Sequence, residues 1–153
     1  MKTRAKLFLP LLALPLFGTV LTSVGCNDPD ETSAVNVTLR EFSVTVDQAT
    51  VPHGSVTFHV TNAGTVPHEF LVIKTDLAPE ALPTETNGSY KENGSGTTLL
   101  DELEDIDPGQ SKDLTINLNE DKYVLICNMV HVEANGTEDS HYARGMRTAF
   151  RVD

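Results

Sequence analysis

The sequence predicts an all-β fold, an antiparallel Greek-key β-sandwich or barrel of about eight short strands. Between residues 35 and 152, apolar residues alternate with polar ones, which is the period of a strand with one buried face. Turn sequences such as Asn62-Ala63-Gly64 and Asp107-Pro108-Gly109 separate the alternating runs. Because this period is 2 and not 3.6, no long helix is expected.

The predicted strands follow one another along the chain. They are residues 35–39, 42–46, 56–60, 68–73, 97–103, 114–118, 123–127 and 146–152. The apolar parity shifts between Leu39 and Phe42, which predicts a bulge or a bend that crosses between sheets. The stretch 75–96 breaks the alternation and predicts one helical turn at 77–82, followed by turns rich in Asn, Gly and Ser. The acidic run 101–105 is interpreted as a solvated strand edge.

The first 25 residues have the pattern of an export signal. Basic residues at positions 2, 4 and 6 precede an uncharged apolar stretch that ends in small residues before Cys26. This is typical of a bacterial lipoprotein leader, in which Cys26 is acylated and becomes the first mature residue. An ordinary signal peptide with an incidental Cys26 is the alternative, and Pro10 and Pro15 argue against a membrane-spanning anchor. We expect a signal peptide at 1–25, a flexible tether at 26–34 and one domain at 35–153.

The charge of the chain limits its partners. It carries 11 basic and 22 acidic residues, a formal net charge of −11, and the predicted leader contains three of the basic residues and none of the acidic ones. An acidic exported domain argues against nucleic acid and suits positively charged partners. The sequence offers no Ser/His/Asp set and no second histidine cluster, so neither an enzyme nor a small-molecule substrate is expected.

Four residues have the chemistry of a metal site. If Cys26 is acylated, Cys127 is a lone thiol in an exported protein, and metal ligation would explain its presence. One thiolate, two imidazoles and one thioether form the donor set of a blue-copper centre, in which the Met ligand is weak and axial. Cys127, His68, His141 and Met146 supply this set. The alternative for each is structural: a strand-end histidine, a small buried cysteine and a core-filling methionine.

Three segments contain these residues: Val66-Pro67-His68-Glu69-Phe70, Tyr123-Val124-Leu125-Ile126-Cys127-Asn128 and His141-Tyr142-Ala143-Arg144-Gly145-Met146. They resemble the small bacterial and archaeal cupredoxins, which are relatives of plastocyanin, azurin and sulfocyanin. The resemblance extends over the mature chain. It implies one copper ion cycling between Cu(I) and Cu(II), with His68, Cys127 and His141 as strong ligands and Met146 as the axial ligand.

The resemblance also implies a function. A cupredoxin of this kind is a type 1 copper protein that transfers single electrons between redox protein partners outside the cytoplasmic membrane. We expect a monomer, held at the membrane by the lipid on Cys26, whose electrons pass through the exposed edge of a ligand histidine. The alternatives are a copper chaperone or storage protein, and a mononuclear copper enzyme in which Glu69 or His131 displaces Met146.

Two departures from the cupredoxin pattern bear on the site. Residues 128–140 separate Cys127 from the second histidine, where cupredoxins have only a few residues, and this stretch is predicted to loop out at the surface and return. Glu69 follows the first ligand, where plastocyanin and azurin often have an Asn that stabilises the pocket by hydrogen bonds.

His131 is the competing candidate for the second histidine ligand. Its spacing from Cys127 is within the range of short ligand loops. However, the residue five positions after His131 is Gly136, which has no side chain, whereas Met146 stands five positions after His141. The sequence therefore favours His141, with His131 as an exposed member of the insertion.

Overall fold

The structure is a computed structural model, and it describes residues 32–92 and 94–153. The predicted signal peptide, Cys26 and most of the predicted tether lie outside the described residues, so those predictions stay open. Among the residues that the structure describes, no helix is long and apolar enough to cross a membrane.

Strands dominate the described part of the chain. They are β1 Ser33–Arg40, β2 Ser43–Val46, β3 Thr50–Val51, β4 Gly54–Asn62, β5 His68–Thr75, β6 Thr97–Ile106, β7 Ser111–Leu118, β8 Asp121–Ile126, β9 Val130–Val132, β10 Glu138–Ser140 and β11 Arg147–Val152. The helical elements are a 3₁₀ turn at Pro79–Ala81 and α1 at His141–Arg144. Their shortness agrees with the expectation of no long helix.

Two sheets pack face to face. One has the strand order β2-β1-β4-β7 and the other the order β3-β11-β8-β5-β6, while β9 and β10 form a separate hairpin. The pairs β1–β4 and β3–β11 are parallel, and the other pairs are antiparallel. The predicted sandwich is confirmed, and the three additional strands β3, β9 and β10 are two or three residues long.

The main core lies between the two sheets. Phe58 of the four-stranded sheet contacts Phe70 and Phe150 of the five-stranded sheet, each with 5.3 Å between ring centroids. The predicted parity is confirmed, because Phe70 and Val72 face this core while Leu71 and Ile73 face away from it.

A second apolar cluster covers the outer face of the five-stranded sheet. It consists of Leu71, Ile73, Leu82, Tyr90, Val124, Ile126 and Tyr142. Leu82 and Tyr90 belong to the stretch 75–96, which breaks the alternation in the sequence. The Tyr142 hydroxyl donates to the Pro79 carbonyl at 2.7 Å and accepts from the Leu82 amide at 3.3 Å, and so holds this stretch against the sheet.

The predicted bulge between Leu39 and Phe42 is instead a chain reversal. β1 and β2 pair antiparallel, with Arg40 opposite Ser43, so the parity shift marks a tight turn at Glu41 and Phe42. The acidic run 101–105 lies in β6, the edge strand of the five-stranded sheet, and is largely exposed, as expected.

The two ends of the sandwich differ. At one end, which we call the His68 end, Leu39 is in register with Asn62, and His68 with Ile106. Asn62 is fully buried there, and its Nδ2 donates to the carbonyls of Val66 and Ile106 at 2.8 and 2.7 Å. At the opposite end lie the start of β1 at Ser33, its partner Val56 and the turn after Leu118.

Candidate metal centre

Three predicted donors meet in a buried pocket at the His68 end. His68 begins β5, Cys127 directly follows β8, and His141 begins α1. The exposed fractions are 0% for His68, 0% for Cys127 and 2% for His141. Among the described residues, these three form the group of His, Cys and carboxylate side chains with the spacing of metal ligands.

The donor atoms form a nearly equilateral triangle. The two Nδ1 atoms are 3.2 Å apart, and Cys127 Sγ lies 3.4 Å from Nδ1 of His141 and 3.7 Å from Nδ1 of His68. The centre of such a triangle is about 2 Å from each corner, which is the length of bonds from a first-row metal ion to nitrogen and sulfur. Soft sulfur and two imidazoles in this trigonal arrangement fit one copper ion.

Burial keeps the donors uncharged in the metal-free protein. It lowers the pKa of His68 and His141, which leaves both imidazoles neutral with lone pairs available. Burial also raises the pKa of the Cys127 thiol to about 12, although backbone hydrogen bonds from Glu69 and Met129 oppose the shift. Because a metal ion binds the thiolate, metal binding must release the thiol proton.

Backbone amides support the sulfur. The Glu69 amide donates to Cys127 Sγ at 3.4 Å, and the Met129 amide donates to it as well. Burial and the nearby Glu102 raise the pKa of the Glu69 carboxyl to about 7, although a hydrogen bond from the Asn128 backbone opposes the shift. The sulfur therefore receives amide hydrogen bonds, although Glu69 occupies the position where plastocyanin and azurin often have an Asn.

The spacing from His141 to Met146 is one capped helical turn. Ser140 Oγ accepts from the Ala143 amide at 3.2 Å and caps the start of α1. Gly145 ends the helix in the left-handed region at φ 118°, which favours glycine. The chain then turns so that the Met146 amide donates to the His141 carbonyl at 3.0 Å.

Met146 is also joined to Cys127. The Cys127 amide donates to the Met146 carbonyl at 3.1 Å, and the Met146 side chain is fully buried in the same cluster as Cys127. One short turn thus fixes Met146 relative to both His141 and Cys127.

The insertion 128–140 is the β9–β10 hairpin. His131 is exposed on it, paired with Asp139 in the ladder, whereas His141 follows the hairpin and reaches the other donors. The base is closed because the His141 amide donates to the Met129 carbonyl at 2.9 Å. The chain therefore loops out and returns, as the sequence predicts.

His141 is covered by other side chains at the surface. The Phe42 ring meets the His141 imidazole edge to face, with 5.3 Å between centroids, and the Arg144 guanidinium lies 4.1 Å above the Phe42 ring. The expectation of an exposed histidine edge is therefore wrong. The reversal between β1 and β2, which the sequence did not reveal, places Phe42 over the imidazole.

Glu41, which the sequence analysis missed, stands beside the other histidine. Its Oε1 lies 3.4 Å from His68 Nε2, outside normal hydrogen-bond geometry, and accepts from the amides of Thr65 and Val66 at 2.7 and 2.9 Å. Burial opposes ionisation, but these amides and the nearby His68 lower the pKa of Glu41 to about 2. An acid in a turn 27 positions before His68 has no spacing signal that could have identified it.

A family model supports the same chemistry. The model described as "Cupredoxin-like domain" matches residues 12–137, which is most of the chain and includes His68 and Cys127. The chain belongs to this cupredoxin-like family. The resemblance seen in the sequence is confirmed.

Solved structures share the fold of this cupredoxin. Auracyanin from Roseiflexus castenholzii is 20% identical, with a TM-score of 0.50 over 80% of this chain and 96% of that chain. Auracyanin A, a "blue" copper protein from Chloroflexus aurantiacus, is 13% identical, with a TM-score of 0.51 over 80% of this chain and 100% of that one. Reduced rusticyanin is 14% identical, with a TM-score of 0.51 over 80% and 77%. No curated protein matches the sequence.

The family and the donor triangle together assign the cofactor. One copper ion fits the pocket, because the three donors have the identity, the spacing and the burial that a copper site in this family requires. The predicted cofactor is therefore confirmed.

Proposed function

We propose that this cupredoxin is an electron carrier with a type 1 copper centre. His68, Cys127 and His141 are the strong ligands, and Met146 is the axial ligand. The observation that carries the proposal is the donor triangle, with sides of 3.2 to 3.7 Å in a pocket sealed from water. Copper supplies the redox chemistry by alternating between Cu(II) and Cu(I).

The role of the protein is to keep the donors from moving. Backbone hydrogen bonds tie two of the donor residues: Cys127 to Met146, and His141 to both Met129 and Met146. Because these bonds hold the donor residues in place, a change of charge at the site would require little rearrangement of the chain. Fast electron exchange depends on such a small rearrangement.

The covering side chains indicate where a redox partner would approach. Phe42 is half-buried and lies between His141 and the surface, while Arg144 is exposed above it. We place the route of the electron through this contact, since both imidazoles are buried. A redox protein partner would therefore dock on the Phe42 face.

Export and lipid anchoring through Cys26 belong to the same proposal. They are supported by the leader pattern and by the start of β1 at the end opposite the donors, so that a tether would leave the donor end free. Two acyl chains on one residue give stable anchoring. Cys26→Ala should release a monomeric protein from membranes, and a variant that stays bound would contradict the anchor.

The visible spectrum tests the function. The copper-loaded protein should show an intense thiolate-to-Cu(II) band, and Cys127→Ser should abolish the band because the transition belongs to the sulfur. A copper chaperone, a storage protein or a copper enzyme without bound thiolate would lack it. A colourless copper-loaded wild type, or unchanged colour after Cys127→Ser, would refute the proposed centre.

A further inference from the structure

We propose that Glu41 is a positioning residue for this centre: its carboxylate fixes the tautomer of His68 and lowers the reduction potential of the copper. This inference rests on the proposed function. It concerns a residue far from the ligands in sequence, in the turn between β1 and β2.

The first argument is the isolation of the His68 ring. His68 Nδ1 faces the donor triangle, and the opposite nitrogen, Nε2, is buried without a hydrogen bond of normal geometry in the described part of the chain. The Glu41 carboxylate lies 3.4 Å from Nε2. A histidine that binds metal through one nitrogen commonly donates from the other to a carboxylate, which fixes the orientation of the ring.

The second argument is that the carboxylate is held in place. The amides of Thr65 and Val66 both donate to the same oxygen that faces His68. Gly64 leaves room for the group, because a Cβ at this position would lie 2.8 Å from the Glu41 Cδ atom and overlap the carboxylate. The Glu41 side chain is 25% exposed and anchored from one side, unlike a free surface acid.

The third argument is the tautomer that metal binding requires. If Nδ1 of His68 is the atom that binds the metal, the one proton of the neutral imidazole must lie on Nε2, the nitrogen that faces Glu41. Glu41 therefore stabilises the tautomer of His68 that is ready to bind a metal.

The effect on potential follows from charge. A fixed negative charge behind a ligand makes the imidazole a stronger donor and favours the more highly charged Cu(II) over Cu(I). Outer carboxylates of this type typically change metal affinity by about 10-fold to 100-fold. A loss of about tenfold in Cu(II) binding relative to Cu(I) corresponds to a rise of about 59 mV for a one-electron couple.

The experiment compares Glu41→Gln with Glu120→Gln, the same change at an exposed position in the turn at the opposite end. The reduction potential of each copper-loaded variant is measured by spectroelectrochemistry. Glu41→Gln should raise the potential by about 59 mV or more while the visible band remains, and Glu120→Gln should change it much less. Equal shifts in the two variants would overturn the proposal.

A second measurement needs no substitution. Nitrogen-15 NMR of the metal-free wild type should show the His68 proton on Nε2, and the opposite tautomer of His68 would overturn the proposal. Gly64→Ala should raise the potential in the same direction as Glu41→Gln, since it displaces the carboxylate. Failure of the proposed function would be seen separately, as a copper-loaded wild type without its band.

Discussion

The two sheets of the sandwich are stabilised in different ways. The outer face of the four-stranded sheet meets solvent with polar cross-strand pairs: Thr57 with Thr115 at 2.9 Å, Thr61 with Ser111 at 2.8 Å and His59 with Asp113 at 2.8 Å. The central strands β5 and β8 of the five-stranded sheet are buried on both faces.

The doubly covered sheet holds two of the three residues of the donor triangle. His68 begins β5 and Cys127 follows β8, and Met146, the proposed axial ligand, precedes β11, which pairs with β8. Packing on both faces leaves these strand ends little freedom, because close-packed interiors transmit and resist displacement. The four-stranded sheet supplies supporting groups from its ends, Glu41 and Asn62.

The largest contrast is expected between the two histidines near Cys127. His141→Ala removes a corner of the donor triangle, so it should strip the visible band unless exogenous imidazole fills the space. His131→Ala, the matched control on the exposed hairpin, should leave the spectrum and the copper affinity nearly unchanged. The reverse result would mean that His131 is the ligand, and that the site does not lie where the structure places the donor triangle.

The next largest effect is expected on stability, because the outer face of the five-stranded sheet is buried and that of the four-stranded sheet is not. Leu71→Ala removes a side chain that is 1% exposed on the outer face of β5, and should lower the free energy of unfolding by about 2–5 kcal/mol. Thr57→Ala, on the outer face of the four-stranded sheet, should change it by about 0.5 kcal/mol or less. Urea unfolding of the metal-free proteins measures both, and similar losses would remove the distinction between the sheets.

A smaller effect is expected from the Tyr142 hydroxyl. Tyr142→Phe deprives the Leu82 amide of its acceptor and the Pro79 carbonyl of its donor, so it should cost about 1–3 kcal/mol in urea unfolding. Tyr123→Phe is the matched control, since its hydroxyl makes one hydrogen bond, to the Asn119 carbonyl at 2.8 Å. A loss no greater than that of the control would mean that Tyr142 does not hold the covering stretch.

The alternation of apolar and polar residues along the chain predicted the longer strands. The alternation around Phe70 and Val72 identified β5 and its core-facing side, and the same held for Leu125 in β8. The stretch 75–96 has no such signal, because its apolar residues, among them Leu82 and Tyr90, are spaced irregularly and serve a face formed by distant strands. Its role as a covering layer depends on tertiary contacts.

The candidate site also has a part that the sequence predicted and a part that it did not. Residue chemistry and spacing identified the three donors that the structure brings together, and the fit of one copper ion. The groups around them, Glu41 behind His68 and Phe42 over His141, come from a turn whose reversal was mistaken for a bulge. A parity shift alone does not distinguish a bulge from a tight turn, so neither contact was predictable.

The β9–β10 hairpin makes this protein suited to grafting. Its base is clamped by the bond from the His141 amide to the Met129 carbonyl, and its tip turns at Gly136, where the amide donates to the Glu133 carbonyl at 2.8 Å. Residues 131–138 are exposed. If a recognition peptide or a dye-attachment site replaced the tip, both ends of the inserted segment would therefore join the domain at the clamped base of the hairpin. A sequence inserted in this hairpin would lie beside the proposed redox centre. It could attach the protein to an electrode surface or to a chosen enzyme.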